Sequence, residues 1–394
     1  MNPAVRKVRN FFVSLQLTVA LLILSLILVF VATLDQVNLG IWVVQAKYFR
    51  SFAVLWPVPG AGFSIPIFPG GYLVGGLLLF NLLGAHIYRF QLSWKKSGIQ
   101  LAHSGLILLL LGELSTGLFQ EESFLRLDQG ETKQYSESFQ ACELVVIDHS
   151  DPKLDQVVSI PEALLADKKS IQHPLLPFQV NIKAYYPNST VEMRNQPGAA
   201  SAAPSPATAG LGAQLALLPL PMTYKPNERN IPGAFVEIAT PEGSLGTWLA
   251  SPLLGMPQTF QAAGKTWEVA LRTKRHYQPF TLTLIKFSHD KYPGTEIPKN
   301  FSSRLRVRSD DGRDDREVLI YMNNPLRYGG LTFYQAGFEN NDTTTVLQVV
   351  RNPSWILPYI ACVMMAIGLV TQFGISLFGF ISKRAAGTTA PSAA

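Results

Sequence analysis

The run LAHSGLILLLLGELSTGLF occupies residues 101–119 and decides the class of the fold. As an α-helix this run would be about 28 Å long, close to the ~30 Å hydrocarbon core of a bilayer. It contains two ionisable side chains, His103 near its start and Glu113 in its second half. A membrane-spanning helix normally excludes ionisable groups unless they face protein or serve a function. The run therefore predicts a transmembrane helix with two positions to explain.

Three other apolar runs have a similar length, at residues 11–34, 70–88 and 354–382. Together with the first run they predict four transmembrane helices. The 11–34 run is too long for a cleaved signal peptide, and no small-residue cleavage site follows it. Charged residues make up 15% of the 394 residues, against about a quarter in ordinary soluble domains. We therefore predict a membrane protein whose N-terminal membrane region covers residues 1–119.

Basic residues flank the predicted helices in a chain whose net charge is +6. They precede the first helix, separate the second from the third and follow the fourth: Arg6, Lys7, Arg9, Arg89, Lys95, Lys96, Lys383 and Arg384. The positive-inside rule assigns such flanks to the cytoplasm. Both termini are then cytoplasmic, and residues 35–69 and 120–353 lie on the outer side. Because topology explains the positive charge, a nucleic-acid partner is not expected.

The segment 120–353 has a different pattern from the membrane runs. Short stretches alternate apolar and polar residues and are rich in β-branched and aromatic types: ACELVVID (141–148), FQVNIKAYY (178–186), AFVEIA (234–239), TWEVALRTK (266–274), FTLTLIKF (280–287), SRLRVRS (303–309), REVLIYM (316–322) and TTTVLQVV (343–350). This pattern is typical of antiparallel strands with one buried face. We predict an all-β, sandwich-like extracytoplasmic domain between the third and fourth helices. Its Ala/Pro/Gly-rich residues 196–222 predict a flexible insertion, and residues 383–394 a disordered cytoplasmic tail.

The outer loop 35–69 is rich in aromatic residues and poor in charge. Aromatic side chains favour the membrane–water interface, so an amphipathic stretch lying at the outer surface would have this composition. A loop that packs against the helices or re-enters the bilayer would have it too. The composition leaves both interpretations open.

The cysteines and the short motifs exclude several chemistries. Cys142 falls in the predicted outer domain and Cys362 in the fourth helix, so a disulfide between them is not expected. The sequence has no C-x-x-C pair, which argues against a thiol-redox centre or a cysteine-rich metal site. It also lacks G-x-S-x-G, H-E-x-x-H and P-loop patterns, which argues against a hydrolase.

Two of the six histidines lie at ends of predicted helices, His86 in the second and His103 in the third. The short connection between these helices predicts an antiparallel pair, with both imidazoles near the inner membrane face. A neutral imidazole can serve as an axial ligand of haem iron. Alternatively, each histidine is hydrogen-bonded at headgroup level and purely structural. The other histidines are irregularly spaced, as surface or turn residues are: His149, His173, His276 and His289.

Glu113 follows His103 by ten residues on the same predicted helix. The two positions are therefore about 80° apart around the helix and about 15 Å apart along it. They cannot belong to one ligand set. We expect Glu113 to contact a neighbouring helix.

Three stretches carry a resemblance to a known family: KFSHDKYPGTEIPKNFSSRLRV (286–307), YMNNPLRYGGLTFYQAGFE (321–339) and VLQVVRNPSWILPYIACVMMAIGL (346–369). Together they resemble the ResB family, also called Ccs1 or CcsB, of System II cytochrome c biogenesis proteins. The predicted order of three helices, a large β-rich domain and a last helix agrees with that family. The resemblance covers most of the chain, apart from the insertion and the tail.

The resemblance implies a subunit of the System II cytochrome c synthase in the bacterial inner membrane. Such a subunit helps to carry haem b across the membrane and to present it for covalent attachment to C-x-x-C-H of apocytochrome c. The implied partners are a CcsA/ResC-like membrane protein, apocytochrome c and a thioredoxin-like thiol reductase. The chain would then be one part of a haem lyase that is not self-sufficient, and no catalytic residue is assigned to it.

The resemblance also implies particular site residues. His103 matches the helix-end histidine that binds haem iron as an axial ligand in the family, and His86 is the reserve for that role. In the 321–339 motif the candidates for docking a partner or apocytochrome are Asn324, Pro325, Arg327, Tyr334 and Gln335. The alternative is that this motif is a buried hairpin in which Gly329 and Gly330 allow positive φ. The competing function is a non-catalytic assembly scaffold or permease-like subunit that binds no haem.

Overall fold

The structure is a computed structural model in which the chain divides into two compact units. A helical unit includes Met1–Gln120 and Asn352–Ala394, and a strand-rich unit includes Glu121–Thr223 and Asn227–Arg351. The structure describes residues 3–58, 62–88, 93–151, 154–167, 170–194, 205–223, 229–295, 298–340 and 343–388. Arg89, one of the predicted cytoplasmic basic residues, lies outside this set.

The helical unit contains every helix long enough to cross a membrane in the described part of the chain. Its elements are α1 (Pro3–Phe12), α2 (Leu15–Val44), β1 (Ala53–Pro57), β2 (Ser64–Pro69), α3 (Gly71–Tyr88), α4 (Ser97–Phe119) and, after the strand-rich unit, α6 (Leu357–Thr388). Four segments are long and apolar enough to span: Leu15–Ile41, Gly71–Tyr88, Trp94–Phe119 and Leu357–Arg384. The four predicted membrane helices are therefore confirmed as candidates.

The aromatic loop between α2 and α3 forms a short hairpin that neither interpretation of the sequence anticipated. Strands β1 and β2 pair antiparallel, with Trp56 opposite Ile65. Within the hairpin Val54 is buried, whereas Trp56 and Ile65 are exposed. Helix α2 itself continues past the predicted end at residue 34, because the residues that follow remain mostly apolar. It is interrupted at Gly40, whose φ of 71° is left-handed.

Helices α4 and α6 pack closely through a glycine at every seventh position of α4. Gly98, Gly105 and Gly112 are all buried. A Cβ on Gly98 would lie 2.5 Å from the carbonyl oxygen of Gly368, and one on Gly105 would lie 2.8 Å from that of Ala361. Such small residues let two backbones approach, which is how helices associate in lipid. The glycine stripe therefore determines which face of α4 is covered by α6.

The strand-rich unit confirms the predicted β-rich segment. Its elements are β3 (Glu121–Asp128), β4 (Thr132–Asp148), β5 (Gln156–Pro161), α5 (Glu162–Ala166), β6 (Ser170–Ile171), β7 (Gln179–Tyr186), β8 (Ser189–Met193), β9 (Leu215–Pro219), β10 (Gly233–Thr240), β11 (Gly243–Ala250), β12 (Gln258–Ala262), β13 (Lys265–Lys291), β14 (Pro298–Ser309), β15 (Asp315–Tyr321), β16 (Leu326–Tyr328), β17 (Leu331–Glu339) and β18 (Thr344–Arg351). Two of the predicted runs, 266–274 and 280–287, merge into the single long strand β13.

Two hydrophobic cores organise these strands. A four-stranded sheet, β11-β10-β7-β6, packs against β4, β5, β12 and the first half of β13. The second core lies within the ten-stranded sheet. Its buried residues come from β3, the second half of β13 and strands β14 to β18. The inner faces of distant strands in that sheet share this core, so the sheet curls over on itself. Strand β13 contributes buried residues to both cores.

Part of the predicted flexible insertion has regular structure. Strand β9 pairs with β8, and its Leu217 is buried in a small core with Phe235. The run LALLP is apolar throughout and buries the consecutive residues Ala216 and Leu217, although the stretch around it is Ala/Pro/Gly-rich. Residues 196–204 of the insertion lie outside the described residues. Likewise α6 continues through residues 383–388 of the predicted tail, and residues 389–394 are not described.

Candidate functional site

His103 lies on the side of α4 that faces away from α6. It precedes Gly105 by two residues, which places it about 200° around the helix from the glycine stripe. Its side chain is exposed in this chain. The same packing that buries one face of α4 therefore leaves His103 accessible to a ligand or to another protein in the membrane.

His86 lies on α3 and is half-buried beside α4. Its Nε2 is 3.4 Å from the hydroxyl of Ser104, the residue after His103. The structure thus brings together the two side chains that the sequence selects, and it makes His103 the more accessible of the pair.

The donor set at this place fits one axial position of a haem iron. An exposed imidazole has a nitrogen that can approach a metal, whereas His86 is held beside the Ser104 hydroxyl. One imidazole fills one axial position, so a haem bound at His103 needs a second ligand from another side chain. The ligand role of His103 stays a prediction.

Glu113 is exposed on the second half of α4. Its side chain makes no hydrogen bond or ion pair with the residues that the structure describes. The neighbouring-helix contact expected from the sequence is not seen within this chain. An exposed carboxylate at this depth is costly in lipid unless another protein surface covers it.

The 321–339 motif contains two tight turns. The N–H of Asn324 donates to the carbonyl of Tyr321 at 2.9 Å, with Asn323 at a φ of 63°. Gly329 and Gly330 have φ values of 58° and 76° and join β16 to β17. The prediction of positive φ at these glycines is confirmed. Paired positive φ values are those of the two-residue turn that best fits strand twist.

The docking candidates in this motif differ in accessibility. Asn324, Arg327 and Tyr334 are exposed, and Pro325 is half-buried. These residues can meet a partner from solvent. Their docking role stays a prediction.

Gln335 belongs to a polar network inside the second core. Its Oε1 accepts from the hydroxyl of Ser303 at 2.6 Å, and its Nε2 donates to Thr345 Oγ1 and to the carbonyl of Gly337, each at 3.0 Å. Ser303 and Thr345 are fully buried. The network ties β14, β17 and β18 together, which is sufficient reason for a glutamine at this position. Sequence alone does not show it, because the partners are distant in the chain.

A second place of interest is a cleft of about 1100 Å³ in the strand-rich unit. Its polar lining includes Arg229, Arg272 and Arg275. At one end His149 bonds to Asp155 through Nδ1 at 2.7 Å and to Glu268 through Nε2 at 2.8 Å. These carboxylates raise the pKa of His149, with Glu268 the stronger influence. The irregular spacing of the histidines in the sequence gave no signal for this cleft, because its lining comes from segments far apart in the chain.

Comparison with known proteins finds a family match within the strand-rich unit. Residues 257–346 match the ResB-like family. This segment begins beside β12 and ends in β18, so it contains the two turns and Gln335. The helices that carry His86 and His103 lie outside the matched segment.

The chain is similar to two bacterial proteins. The chain is 29% identical over 92 residues to Protein NrfI of Wolinella succinogenes. It is 35% identical over 94 residues to the cytochrome c biogenesis protein CcsB of Synechococcus elongatus. These alignments cover 23% and 24% of this chain, and only 10% and 20% of the respective relatives. The resemblance indicated by the 286–339 motifs is thus confirmed: through residues 257–346, the chain is related to ResB-like proteins.

Proposed function

We propose that this chain is a membrane subunit of a System II cytochrome c synthase, which helps to move haem b across the membrane and to present it to apocytochrome c. The observation that carries the proposal is the ResB-like match at 257–346 together with a relative named as a cytochrome c biogenesis protein. Four candidate spans joined to a large strand-rich unit fit such a subunit. The chain works in a haem lyase complex and not as an enzyme alone.

In this proposal the chain lies in the bacterial inner membrane with both termini in the cytoplasm. Support comes from the basic residues at three helix flanks, since positive charge is retained on the cytoplasmic side. The strand-rich unit is then on the outer side, where apocytochrome c receives its haem. A thioredoxin-like reductase that keeps the C-x-x-C-H thiols reduced would meet the complex on the same side.

His103 is the proposed axial ligand on this chain, and His86 is the reserve. When bound, haem iron would accept an imidazole nitrogen, and its porphyrin carries the vinyl groups that the synthase joins to thiols. The chain's own contribution is orientation. The glycine stripe holds α4 against α6 and so presents His103 on the opposite, exposed face. A CcsA/ResC-like partner on that face would supply the second axial ligand.

Absorption spectra of the purified complex test the ligand assignment. The chain is expressed with a CcsA/ResC-like partner as wild type, His103→Ala, His86→Ala and His173→Ala, the last being an exposed turn residue in the strand-rich unit. We expect haem bands in the wild type and in the His173 and His86 variants, and their loss or a large shift in His103→Ala. Loss only in His86→Ala would assign the reserve ligand. An unchanged spectrum in both His103→Ala and His86→Ala would contradict the proposal.

A haem stain of membranes from a deletion strain tests the function itself. The proposed function requires covalently attached haem to disappear from c-type cytochromes, with restoration by the intact gene. If c-type cytochromes mature normally without the gene, the scaffold or permease-like alternative is the better description.

A further inference from the structure

The long strand β13 has an open edge in its middle. One edge of β13 pairs with β4. On the other edge, β12 pairs with residues 265–269 and β14 with residues 280–291. Between them, residues 270–279 pair with no strand on that side among the described residues. An exposed strand edge presents unpaired N–H and C=O groups that can receive another chain.

The 1100 Å³ cleft runs along this edge. Residues 268–273 all line it, one after another. Neighbouring side chains of a strand point to opposite faces, so a cavity on one face would contact only every second residue. Contact with consecutive residues means that the cleft lies beside the backbone edge itself. It is therefore shaped for a ligand that can use backbone hydrogen bonds.

The length of regular edge suits a short extended segment. Residues 270–273 pair in simple register with residues 142–145 of β4, and the register shifts immediately afterwards. A chain added beside 270–273 would thus find a regular strand of about four residues, roughly 13 Å long. The bend that follows limits how far such an added strand can extend.

The opposite wall and Arg229 give the cleft its chemical character. Leu254 and Met256 supply apolar surface, and Met256 is 60% exposed. Arg272 is paired with Glu143 at 3.0 Å. In contrast, Arg229 makes no ion pair with the described residues: its Nε is buried without a hydrogen bond, and its Nη2 donates to the sulfur of Cys142 at 3.8 Å. The positive charge of Arg229 is therefore not neutralised by a described carboxylate, which favours an acidic group in the cleft.

We infer that this cleft binds an extended polypeptide segment, which adds to the 270–273 edge as a strand and directs an acidic side chain to Arg229. Strand addition uses main-chain hydrogen bonds for affinity and side-chain pockets for specificity. A small carboxylate compound would satisfy Arg229 but leave the backbone edge unpaired, so a polypeptide uses more of the site. The inference rests on the proposed function in one respect: it identifies the polypeptide as unfolded apocytochrome c.

Residue-resolved hydrogen–deuterium exchange on the full chain in lipid nanodiscs tests the strand addition. The probe is haem-free apocytochrome c with alkylated C-x-x-C-H cysteines. Alternate amides in 270–273 point away from β4 and should exchange quickly in the chain alone, then at least tenfold more slowly with the probe. Slow exchange of these amides without the probe, or no change on adding it, would overturn the inference.

Site-specific photo-crosslinking locates the bound segment. A photoreactive residue at Met256 should crosslink to the probe, whereas one at Met322, an exposed methionine outside the cleft lining, should not. Arg229→Ala should weaken probe binding about tenfold, and Arg313→Ala in an exposed turn should leave it unchanged. Equal crosslinking at both methionines, or protection of the edge by succinate as strong as by the probe, would contradict a peptide site.

These measurements contain no haem and need no partner, so they separate the two proposals. If crosslinking fails while the haem spectra and gene-dependent cytochrome maturation are as expected, only the cleft inference is contradicted. Normal probe binding by the full chain, together with normal cytochrome maturation in the deletion strain, would contradict the proposed function alone.

Discussion

Gly329 and Gly330 exclude a side chain for different reasons, one conformational and one steric. Both glycines have positive φ, which costs an ordinary residue about 1 kcal/mol or more. At Gly330 a Cβ would meet open space, whereas at Gly329 it would lie 2.6 Å from a ring carbon of buried Phe280. The turn therefore needs glycine at both positions, and the core needs it at the first.

Gly329→Ala should consequently destabilise the strand-rich unit more than Gly330→Ala. We expect both to share the backbone cost, and Gly329→Ala to lose a further 1–3 kcal/mol, roughly the cost of overpacking a core. Denaturant unfolding of the full chain in detergent, followed by tryptophan fluorescence, measures the difference. Equal losses of unfolding free energy would mean that Phe280 moves aside without cost.

His149 is the residue whose titration should be visible near neutral pH. Hydrogen bonds to Glu268 and Asp155 raise its pKa above the ordinary value of 6.5. These two carboxylates form a clamp around the charged imidazole. The clamp stabilises the fold fully at pH values below the ordinary pKa of histidine, and the stabilisation is lost as pH rises through the raised pKa of the folded state. Because the imidazole is partly exposed, solvent screening keeps the effect small.

We expect the NMR titration midpoint of His149 to lie above 6.5 and to fall in Glu268→Gln. Thermal unfolding should show the wild type gaining stability relative to Glu268→Gln as pH decreases from about 8 to 6. His173→Gln removes a histidine outside the clamp and serves as the control. A titration midpoint at or below 6.5 would show that the two carboxylates do not hold the charged imidazole.

At the scale of elements, the α4–α6 pair depends on the absence of side chains. A Cβ on Gly98 would lie 2.5 Å from backbone atoms of α6, which cannot move as a flexible side chain can. Gly117 lies on the same helix with nothing within 4 Å of its Cβ position. The two glycines therefore make a useful comparison, because α6 packs against Gly98 and no described residue packs against Gly117.

Gly98→Ala should separate α4 from α6 and cost about 1–3 kcal/mol by overpacking. Gly117→Ala should be neutral or slightly stabilising, because alanine favours helix. Thermal stability in nanodiscs and the crosslinking yield of cysteines engineered on the two helices measure the effect. Similar behaviour of both variants would mean that the close approach does not determine the pairing.

Each strand predicted from alternation is present, but alternation did not show how strands join. The sequence predicts two separate strands at 266–274 and 280–287, with residues 275–279 between them. In the structure β4 continues alongside, and β13 passes through residues 275–279 with a shift in register. That continuity is what leaves the open edge beside the cleft.

At the scale of the whole molecule, the proposed topology can be read from cysteine labelling. In a Cys142→Ser, Cys362→Ser background, a cysteine at the exposed Arg313 should react with a membrane-impermeant maleimide added to intact spheroplasts. A cysteine at Lys96 should react only after the membrane is opened. The reverse pattern would place the strand-rich unit in the cytoplasm and contradict haem delivery to the outer side.

The local amino-acid sequence determined the membrane spans, the strands and the glycines of positive φ. Each depends on residues within a few positions: a run of apolar side chains, an alternation, or a turn of fixed length. His86 and His103 were selected for the same reason, because they lie at helix ends. Their possible role was visible from the sequence, while their relation to each other was not.

Tertiary structure alone decided the rest. The sequence makes Gln335 a docking candidate, and the register of β14, β17 and β18 places Ser303 and Thr345 beside it; its docking role stays a prediction. The face on which α4 presents His103 follows from where α6 packs, and the cleft follows from which edge of β13 stays unpaired. These features depend on register and packing between residues far apart in the chain, about which a periodic pattern in one sequence contains no information.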